Sequence, residues 1–322
     1  SKATYVGKGG LTGAFWYAYA GLVERQRREA VGIEMSAGRP TIVETDFTEQ
    51  PASDRAVLGH LVAAGRHIDA LHAAQRGAAG LRDQLAAGDT TSAALFRRNQ
   101  GPWCQAPGSE SDPFCHALPT FASQRGLSYP PGPTLDEAYC KTLATHADAA
   151  ALTDPFHVVR KRGDDVVAVP YPEVYGDGMR AVAGELRAAA ASLDREGEEA
   201  FHAYLLAAAE GFETNHWWEA DEAWSRMSAD NSRWYLRIAP DETYWDPCQL
   251  KAGFHMSLAL VDPDALTWKR VLAGLRSDME EALAAHIGAP YAARKVSFQL
   301  PEFIRIVLNA GDARSAFGAT IG

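Results

Sequence analysis

The 322-residue sequence lacks the motifs that identify the common enzyme classes. It has no HExxH or HExxxH pair of zinc-binding histidines, no GxSxG nucleophile turn and no GxxxxGKS/T phosphate loop. None of its apolar runs approaches the roughly 20 residues that a membrane-spanning helix needs. Its four cysteines do not have the CxxC or Cys/His spacing of structural zinc sites. The function must therefore be inferred from smaller clusters of residues.

Positive charge is also scarce, because 31 Lys and Arg residues face 41 Asp and Glu residues and leave a net charge of −10. Nucleic acids and anionic membranes both favour a basic surface, so neither is expected as the main partner. Hydrophobic residues make up 47% of the chain and charged residues 22%. This mixture is typical of a folded globular protein and excludes a disordered or collagen-like chain.

The cysteines leave the cellular compartment open. Cys104 and Cys115 flank a polar loop and would form a disulfide in an oxidising compartment. In a reducing cytoplasm the same two residues would be free buried thiols. The chain begins at Ser1, which fits removal of Met, cleavage of a signal peptide or a cloning remnant equally well. Cytoplasm and periplasm or secretion therefore both stay open.

The pattern along the chain predicts an α+β fold that is mostly helical, with a small mixed or barrel-like sheet as its core. Residues 1–50 form a segment without an assigned role, and residues 51–150 form a helical region with a long Pro/Gly-rich loop at 99–133. Residues 151–322 are expected to form a lobe with a β-core and helices. Apolar residues at turns of three and four predict the helices; the main ones are at 14–30, 52–85, 173–193, 198–211 and 265–286.

Further elements depend on shorter signals. Thr134 with Glu137 three residues later resembles a capping box and predicts a helix that runs to about 149. Residues 250–260 are predicted to be helical. The remaining apolar alternation predicts one mixed or barrel-like sheet, made of a hairpin at 156–169 and strands at 233–238, 295–300 and 303–308.

Tyr244 is the sharpest candidate for chemistry, since it lies in a polar cluster just after a predicted strand. Its phenol would donate a hydrogen bond to a developing oxyanion. A half-buried tyrosine that packs at the end of a strand is the alternative. Two other interpretations are open: a metal pair of His216 and Glu219, and glycoside hydrolysis by converging carboxylates. The candidate carboxylates are Glu219, Asp221, Glu222, Asp241, Glu242 and Asp246.

Several short segments resemble one family when they are taken in order. They are NQGPW at 99–103, DPFHVVRK at 154–161, VAVPYPEVY at 167–175, DEAW at 221–224, PDETY at 240–244, KAGF at 251–254 and AGDA at 310–313. In this order and spacing they resemble the amino-terminal half of the dipeptidyl-peptidase III family of zinc peptidases, especially its bacterial branch. The resemblance covers about residues 55–322.

The resemblance implies one half of a two-lobed protein with a wide cleft. The family's zinc ligands lie in its other, helical half, and this chain ends before the segment that would carry them. Tyr244 matches the tyrosine that stabilises the tetrahedral intermediate, and Glu242 matches the acid that binds the free amino terminus of the substrate. His255 stands where some members have an acid. Gly311 would border the substrate strand, which the family binds by β-augmentation.

The leading hypothesis is therefore the amino-terminal part of a zinc-dependent hydrolase that releases dipeptides from peptide amino termini. This half would supply the floor of the cleft, with a peptide as substrate and a second half, carrying HExxxH, as partner. Zinc is expected as a cofactor of the complete protein only, with no metal bound by this chain. An enzyme results only if that second half is present. The alternatives are a non-catalytic peptide-binding or interaction protein on the same fold, and the unrelated glycan hydrolase.

Overall fold

Helices form about half of the part of the chain that the structure describes. The structure is a computed structural model that describes residues 2–38, 44–120, 126–296 and 304–314. The ten helices in those ranges are α1 (Lys2–Tyr5), α2 (Gly13–Ser36), α3 (Ala52–Gln75), α4 (Thr90–Asn99), α5 (Glu137–Ala144), α6 (Ala149–Thr153), α7 (Tyr171–Ser192), α8 (Glu199–Thr214), α9 (Trp218–Ser225) and α10 (Pro263–Ile287). Two short 3₁₀ turns follow α3 and the last strand, at Leu81–Gln84 and Asp312–Arg314.

The strands form three small antiparallel sheets. They are β1 (Val6–Gly7) with β2 (Gly10–Leu11), β3 (His157–Arg162) with β4 (Asp165–Pro170), and the order β5 (Trp234–Pro240), β6 (Phe254–Val261), β7 (Ile304–Gly311). The α+β fold, mostly helical with a small sheet core, is confirmed. The single mixed or barrel-like sheet is wrong for the described strands: the 156–169 hairpin is a sheet of its own, and no barrel closes.

The largest correction concerns residues 250–260, which are a strand and not a helix. β6 is the central strand of its sheet and pairs with β5 on one side and β7 on the other. Phe254, Met256 and Leu258 are fully buried, while His255 and Ser257 alternate with them on the other face. This period of two is that of a strand. A histidine and a serine between apolar residues also fit a short amphipathic helix, so the sequence pattern alone does not distinguish the two structures.

Smaller corrections concern single ends and one strand. α5 begins at Glu137, and its N-cap is Asp136, whose side chain accepts a hydrogen bond from the amide of Tyr139. Thr134 is therefore not the cap, and the helix ends at Ala144. The strand predicted at 295–300 has no strand residue at 295–296, and 297–300 lie outside the described residues.

The main core lies between α3, α7 and α8 and one face of the β5–β6–β7 sheet. Leu61, Ala64 and Ile68 recur at helical spacing on α3 and are fully buried. At Gly65 an added Cβ would lie 2.9 Å from the Leu308 side chain, so the absence of a side chain lets α3 cross close to the sheet. This contact fixes the sheet with one face against α3 and the other face outward.

Two disulfides cross-link the described chain. Cys104 is bonded to Cys115, which decides between the two alternatives for that pair. Cys140 on α5 is bonded to Cys248, 108 residues away, a pairing that no spacing in the sequence indicated.

α10 carries the most regular apolar surface outside the core. Six exposed apolar side chains recur on it every three or four residues: Trp268, Val271, Leu275, Met279, Leu283 and Ile287. Exposed apolar patches of this kind are typical of interaction surfaces. Among the described helices, none is both long and apolar enough to cross a membrane.

Candidate functional site

The outward face of the β5–β6–β7 sheet is polar. Cross-strand register places Arg237, Ser257 and Asn309 side by side in one row. The next row contains Ala239, His255 and Gly311. Because residues that pair directly across strands share a face, the polar side chains of Arg237, Ser257, Asn309 and His255 lie on the side opposite to Phe254, Met256 and Leu258. The alternation in β6 thus gives the sheet an apolar face that packs on the core and a polar face on the other side.

A loop joins β5 to β6 at one end of this face and carries Glu242 and Tyr244; we call residues 241–253 the site loop. Its backbone closes with two hydrogen bonds, from the Asp241 amide to the Gly253 carbonyl (3.0 Å) and from the Gly253 amide to the Glu242 carbonyl (2.8 Å). These bonds hold Glu242 and Tyr244 at the end of the polar face.

Three deeper contacts anchor the site loop to the rest of the fold. Asp246 is buried and accepts hydrogen bonds from the Tyr129 hydroxyl (2.7 Å) and from the Leu250 amide (3.0 Å). Lys251 is fully buried, and its Nζ donates to the carbonyls of Leu152 and Asp154 at 2.7 Å each. Burial lowers the pKa of Lys251 to about 8. The Cys140–Cys248 disulfide is the third anchor.

Tyr244 lies on the surface of this anchored loop. Its side chain is 42% exposed, and its hydroxyl makes no hydrogen bond to the described residues. Partial burial and the negative charges of Asp312, Glu242 and Asp241 raise the pKa of Tyr244 to about 12. The phenol is therefore protonated at neutral pH and available as a donor. The carboxylate of Glu242 is likewise exposed and makes no ion pair with the described residues.

His255 is held by a buried carboxylate. Its Nδ1 lies 2.7 Å from Oδ1 of Asp312, and its Nε2 lies 3.3 Å from the Ser257 hydroxyl. Asp312 is 1% exposed, and its Oδ2 has no partner among the described residues. Burial raises the pKa of Asp312, while the hydrogen bond to His255 opposes that rise. The imidazole of His255 and the carboxylate of Asp312 thus form a hydrogen-bonded ionisable pair on the polar face.

The acids around Arg237 are structural partners of that residue. Arg237 forms ion pairs with Asp221 on α9 and with Asp241, both at 2.6 Å. Burial raises the pKa of Asp241, but the hydrogen bonds from Arg237 outweigh it and the net pKa lies below its ordinary value. Three of the acids considered for glycoside hydrolysis (Asp221, Asp241 and Asp246) are therefore occupied by these and the site-loop contacts.

Gly311 ends β7 with a backbone that only glycine tolerates. Its φ is +64°, and an added Cβ would lie 2.0 Å from the Phe254 carbonyl oxygen. Its amide donates to Asp69 (2.8 Å), and its carbonyl accepts from Gln100 (2.7 Å). Both backbone groups of Gly311 are thus occupied, so a bound peptide strand would have to pair with other residues of the edge.

Metal ligands converge at a single place in the described residues. This cluster consists of Glu34, Cys104 and Cys115. The two cysteines are bonded to each other, and the Glu34 carboxylate already accepts hydrogen bonds, among others from Asn99, Ser109 and the Ala106 amide. A disulfide is not a thiolate ligand, so these residues do not fit a zinc ion. His216 and Glu219 are not part of any such cluster among the described residues.

The matches to this chain come from solved structures. No protein-family model and no curated protein sequence matches it. The solved structure of dipeptidyl-peptidase III from Caldithrix abyssi matches 88% of this chain with a TM-score of 0.71 and 23% identity. That from Corallococcus sp. strain EGB matches 88% with a TM-score of 0.67 and 24% identity. The chain has the fold of one half of dipeptidyl-peptidase III. It spans 54% and 53% of the lengths of those two chains.

The match confirms the family resemblance at the level of the fold. The roles of Tyr244, Glu242, His255 and Gly311 stay predictions. The structure places all four along one polar face and its end, although 69 positions separate Glu242 from Gly311 in the chain. Sequence reasoning missed Asp312 and Ser257. The signal for Ser257 was present, since it stands two residues after His255 and therefore on the same face of a strand.

Proposed function

We propose that this chain is the peptide-binding half of a dipeptidyl-peptidase III-like hydrolase that releases dipeptides from peptide amino termini. The observation that carries the proposal is an exposed carboxylate (Glu242) and an unpartnered phenol (Tyr244) on one anchored loop of a dipeptidyl-peptidase III fold. Fold alone does not determine function, so the proposal depends on these two side chains.

The two residues would act on different parts of the substrate. Glu242 would pair with the ammonium group of the peptide, which loses its water in the bound state and needs a charged acceptor. Tyr244 would donate to the carbonyl oxygen that becomes negative during cleavage. A donor that is protonated and free of other hydrogen bonds can serve this role without breaking an existing contact. His255 would border the same amino-terminal site.

The ligands of a catalytic zinc would come from a partner half. The Glu34–Cys104–Cys115 cluster does not fit zinc, because its two cysteines are bonded to each other. The exposed stripe on α10 is a surface of the kind that such a partner covers. That the chain spans about half of the matched structures supports the same arrangement. The partner would be a following segment of a longer chain or a separate polypeptide.

Peptide binding to the 322-residue chain tests the proposal. Calorimetry with a tetrapeptide that has a free amino terminus should show saturable binding, and the N-acetylated peptide should bind at least about tenfold more weakly, since it has no ammonium group. Glu242→Gln should remove most of this difference. Glu219→Gln, a change on the exposed surface of α9, is the matched control. Equal binding of both peptides would contradict the role of Glu242, and absence of binding would contradict the function.

The presence of a partner half in the native protein would distinguish the proposed enzyme from a non-catalytic peptide-binding protein. Purification from the native source should yield either a longer chain or a copurifying polypeptide with an HExxxH motif. A native product of 34.8 kDa that binds peptides alone would favour the binding protein.

A further inference from the structure

Three side chains on the polar face form a chain of hydrogen bonds, and the proposed peptide function uses only His255 among them, as a neighbour of the amino-terminal site. The Ser257 hydroxyl lies 3.3 Å from Nε2 of His255, and Nδ1 of the same ring lies 2.7 Å from Oδ1 of Asp312. Ser257 and His255 are two residues apart on β6, and therefore on one face, while Asp312 follows β7 directly. The order hydroxyl, imidazole, carboxylate is the arrangement by which a histidine activates a serine.

The accessibility of the three groups follows the same order. Asp312 is 1% exposed, His255 is 9% exposed, and Ser257 is only partly buried. A buried carboxylate keeps the proton of the imidazole on Nδ1, because it is the acceptor there. The lone pair of Nε2 then faces the hydroxyl and can accept its proton. The hydroxyl of Ser257 makes one hydrogen bond to the described residues, and its partner is His255. No other described group therefore competes with His255 for this hydroxyl.

We propose that Ser257 is a nucleophile, His255 its general base and Asp312 the residue that positions His255, and that they give this chain an acyl-transfer activity on small carboxylic esters. This activity goes beyond the proposed peptide function, since it needs neither a second half nor its zinc. Ser257 Oγ attacks the ester carbonyl carbon as its proton passes to Nε2. The bond to the alcohol breaks, and the alcohol takes the proton from His255.

Water completes the cycle. It gives a proton to Nε2 and attacks the acyl group on Ser257. The bond between Oγ and the acyl carbon breaks, the carboxylic acid leaves, and the proton returns from His255 to Ser257. Each step thus conserves atoms and charge without a co-reactant other than water.

Two neighbouring groups can donate to the oxyanion of this reaction. Asn309 stands directly across from Ser257 on β7, and its side-chain amide makes no hydrogen bond to the described residues. Tyr244 lies close enough for the charge of Asp312 to raise the pKa of its hydroxyl, and that hydroxyl has no partner among the described residues. β6 is the central strand and its backbone pairs with β5 and β7, so side chains are the available donors for this stabilisation.

A serine-reactive fluorophosphonate tests the nucleophile directly. Attack by Ser257 Oγ on phosphorus displaces fluoride and leaves a stable adduct that peptide mass spectrometry locates. We expect labelling at Ser257 that persists with a chelator present and that slows about 10²-fold in His255→Gln, the usual scale for loss of a general base. Ser225 on α9 is the internal control, because it is exposed and its hydroxyl donates only to a backbone carbonyl. Equal labelling of Ser225 and Ser257, or labelling that His255→Gln leaves unchanged, would overturn the proposal.

A second variant tests the same contact without catalytic turnover. Its result does not depend on whether the His255→Gln variant folds. The described cysteines are all in disulfides, so Ser257→Cys introduces a single free thiol. A thiol beside His255 should be alkylated by iodoacetamide with an apparent pKa at least about one unit below the ordinary value of roughly 8.5. Ser225→Cys should show the ordinary value. An ordinary pKa at position 257 would refute the activation by His255. Peptide binding is measured separately by calorimetry, so failure of the ester reaction and failure of the peptide function are distinguishable.

Discussion

Cys248 in the site loop is bonded to Cys140 of α5, with the two Cα atoms 5.4 Å apart and a sequence separation of 108. The bond ties the loop that carries Glu242 and Tyr244 to a helix that lies far away in the sequence. Cys104–Cys115, by contrast, closes a separation of only 11 residues near α4. The two cross-links therefore differ in both the length of chain they restrain and the surface they hold.

The long disulfide should matter more for stability and for the site. Loop-closure entropy predicts a loss of about 5 kcal/mol when Cys140 and Cys248 are both changed to Ser, against about 3 kcal/mol for Cys104 and Cys115. Chemical denaturation measures both values. Hydrogen exchange should accelerate at 241–253 only in the first variant. If residues 241–253 exchange at the same rate in both variants, the Cys140–Cys248 disulfide does not hold the site loop in place.

Substitutions of Tyr244 and Glu242 should affect different kinetic constants of the proposed enzyme. Tyr244→Phe should lower kcat by about 10²-fold and change KM little, because the oxyanion forms only in the transition state. Glu242→Gln should act mainly on KM, since the ammonium contact exists in the ground and transition states alike. Steady-state kinetics with a dipeptidyl substrate provides both constants. A Tyr244→Phe variant that keeps kcat but unfolds more easily would show a packing tyrosine instead.

Gly311 should not tolerate any side chain. Gly311→Ala would place a Cβ against the Phe254 carbonyl at a φ of +64°, so it should destabilise the fold by roughly 3 kcal/mol or more. Gly274 on α10 has nothing within 4 Å of the added Cβ. Gly274→Ala should therefore be neutral or stabilise by up to about 1 kcal/mol, the difference in helix propensity. Thermal denaturation of the pair is the measurement, and similar midpoints would contradict the close approach of β7 to β6.

His72 should make the protein sensitive to mild acid. Burial and the charge of Arg76 lower its pKa to about 3, and the ring packs against Trp245 of the site loop with centroids 5.8 Å apart. The unfolded chain takes up a proton near pH 6.5, while the folded chain does not. The stabilisation is thus complete above pH 6.5 and falls as the pH drops towards 3.

Relative to His72→Phe, the wild type should lose about 1.4 kcal/mol more for each pH unit between 6 and 4. Urea denaturation at several pH values gives this slope. His286→Gln, an exposed change on α10, should keep the slope of the wild type. Parallel curves for wild type and His72→Phe would show that the buried ring titrates normally.

The long helices could be predicted from the sequence because their apolar spacing is unambiguous. α3 and α7 begin within two residues of the predicted starts, although α3 ends at Gln75, ten residues before the predicted end. β6 could not be predicted, because eight residues with a histidine and a serine among apolar neighbours satisfy both periods. The error matters, since β6 is the strand on which the polar face is built.

The site was predictable only in its local part. Glu242 and Tyr244 stand two residues apart, so their common loop is visible in the sequence. The contact of His255 with Asp312 spans 57 residues and depends on β7 pairing with β6 after the whole of α10 has intervened. Cys140 and Cys248 pose the same problem over a longer separation. Contacts between residues so far apart in the chain are not indicated by the local spacing of residues in the sequence.

The position of β7 also determines when the polar face comes into existence as the protein folds. Asp312 and Gly311 reach His255 only after β7 has paired with β6, and this pairing closes a loop that contains the whole of α10. A nascent or partly folded chain therefore has Ser257 and His255 without the carboxylate that orients them. Any chemistry that depends on all three is silent until folding is complete, so reactivity at Ser257 would serve as a sensor of native assembly.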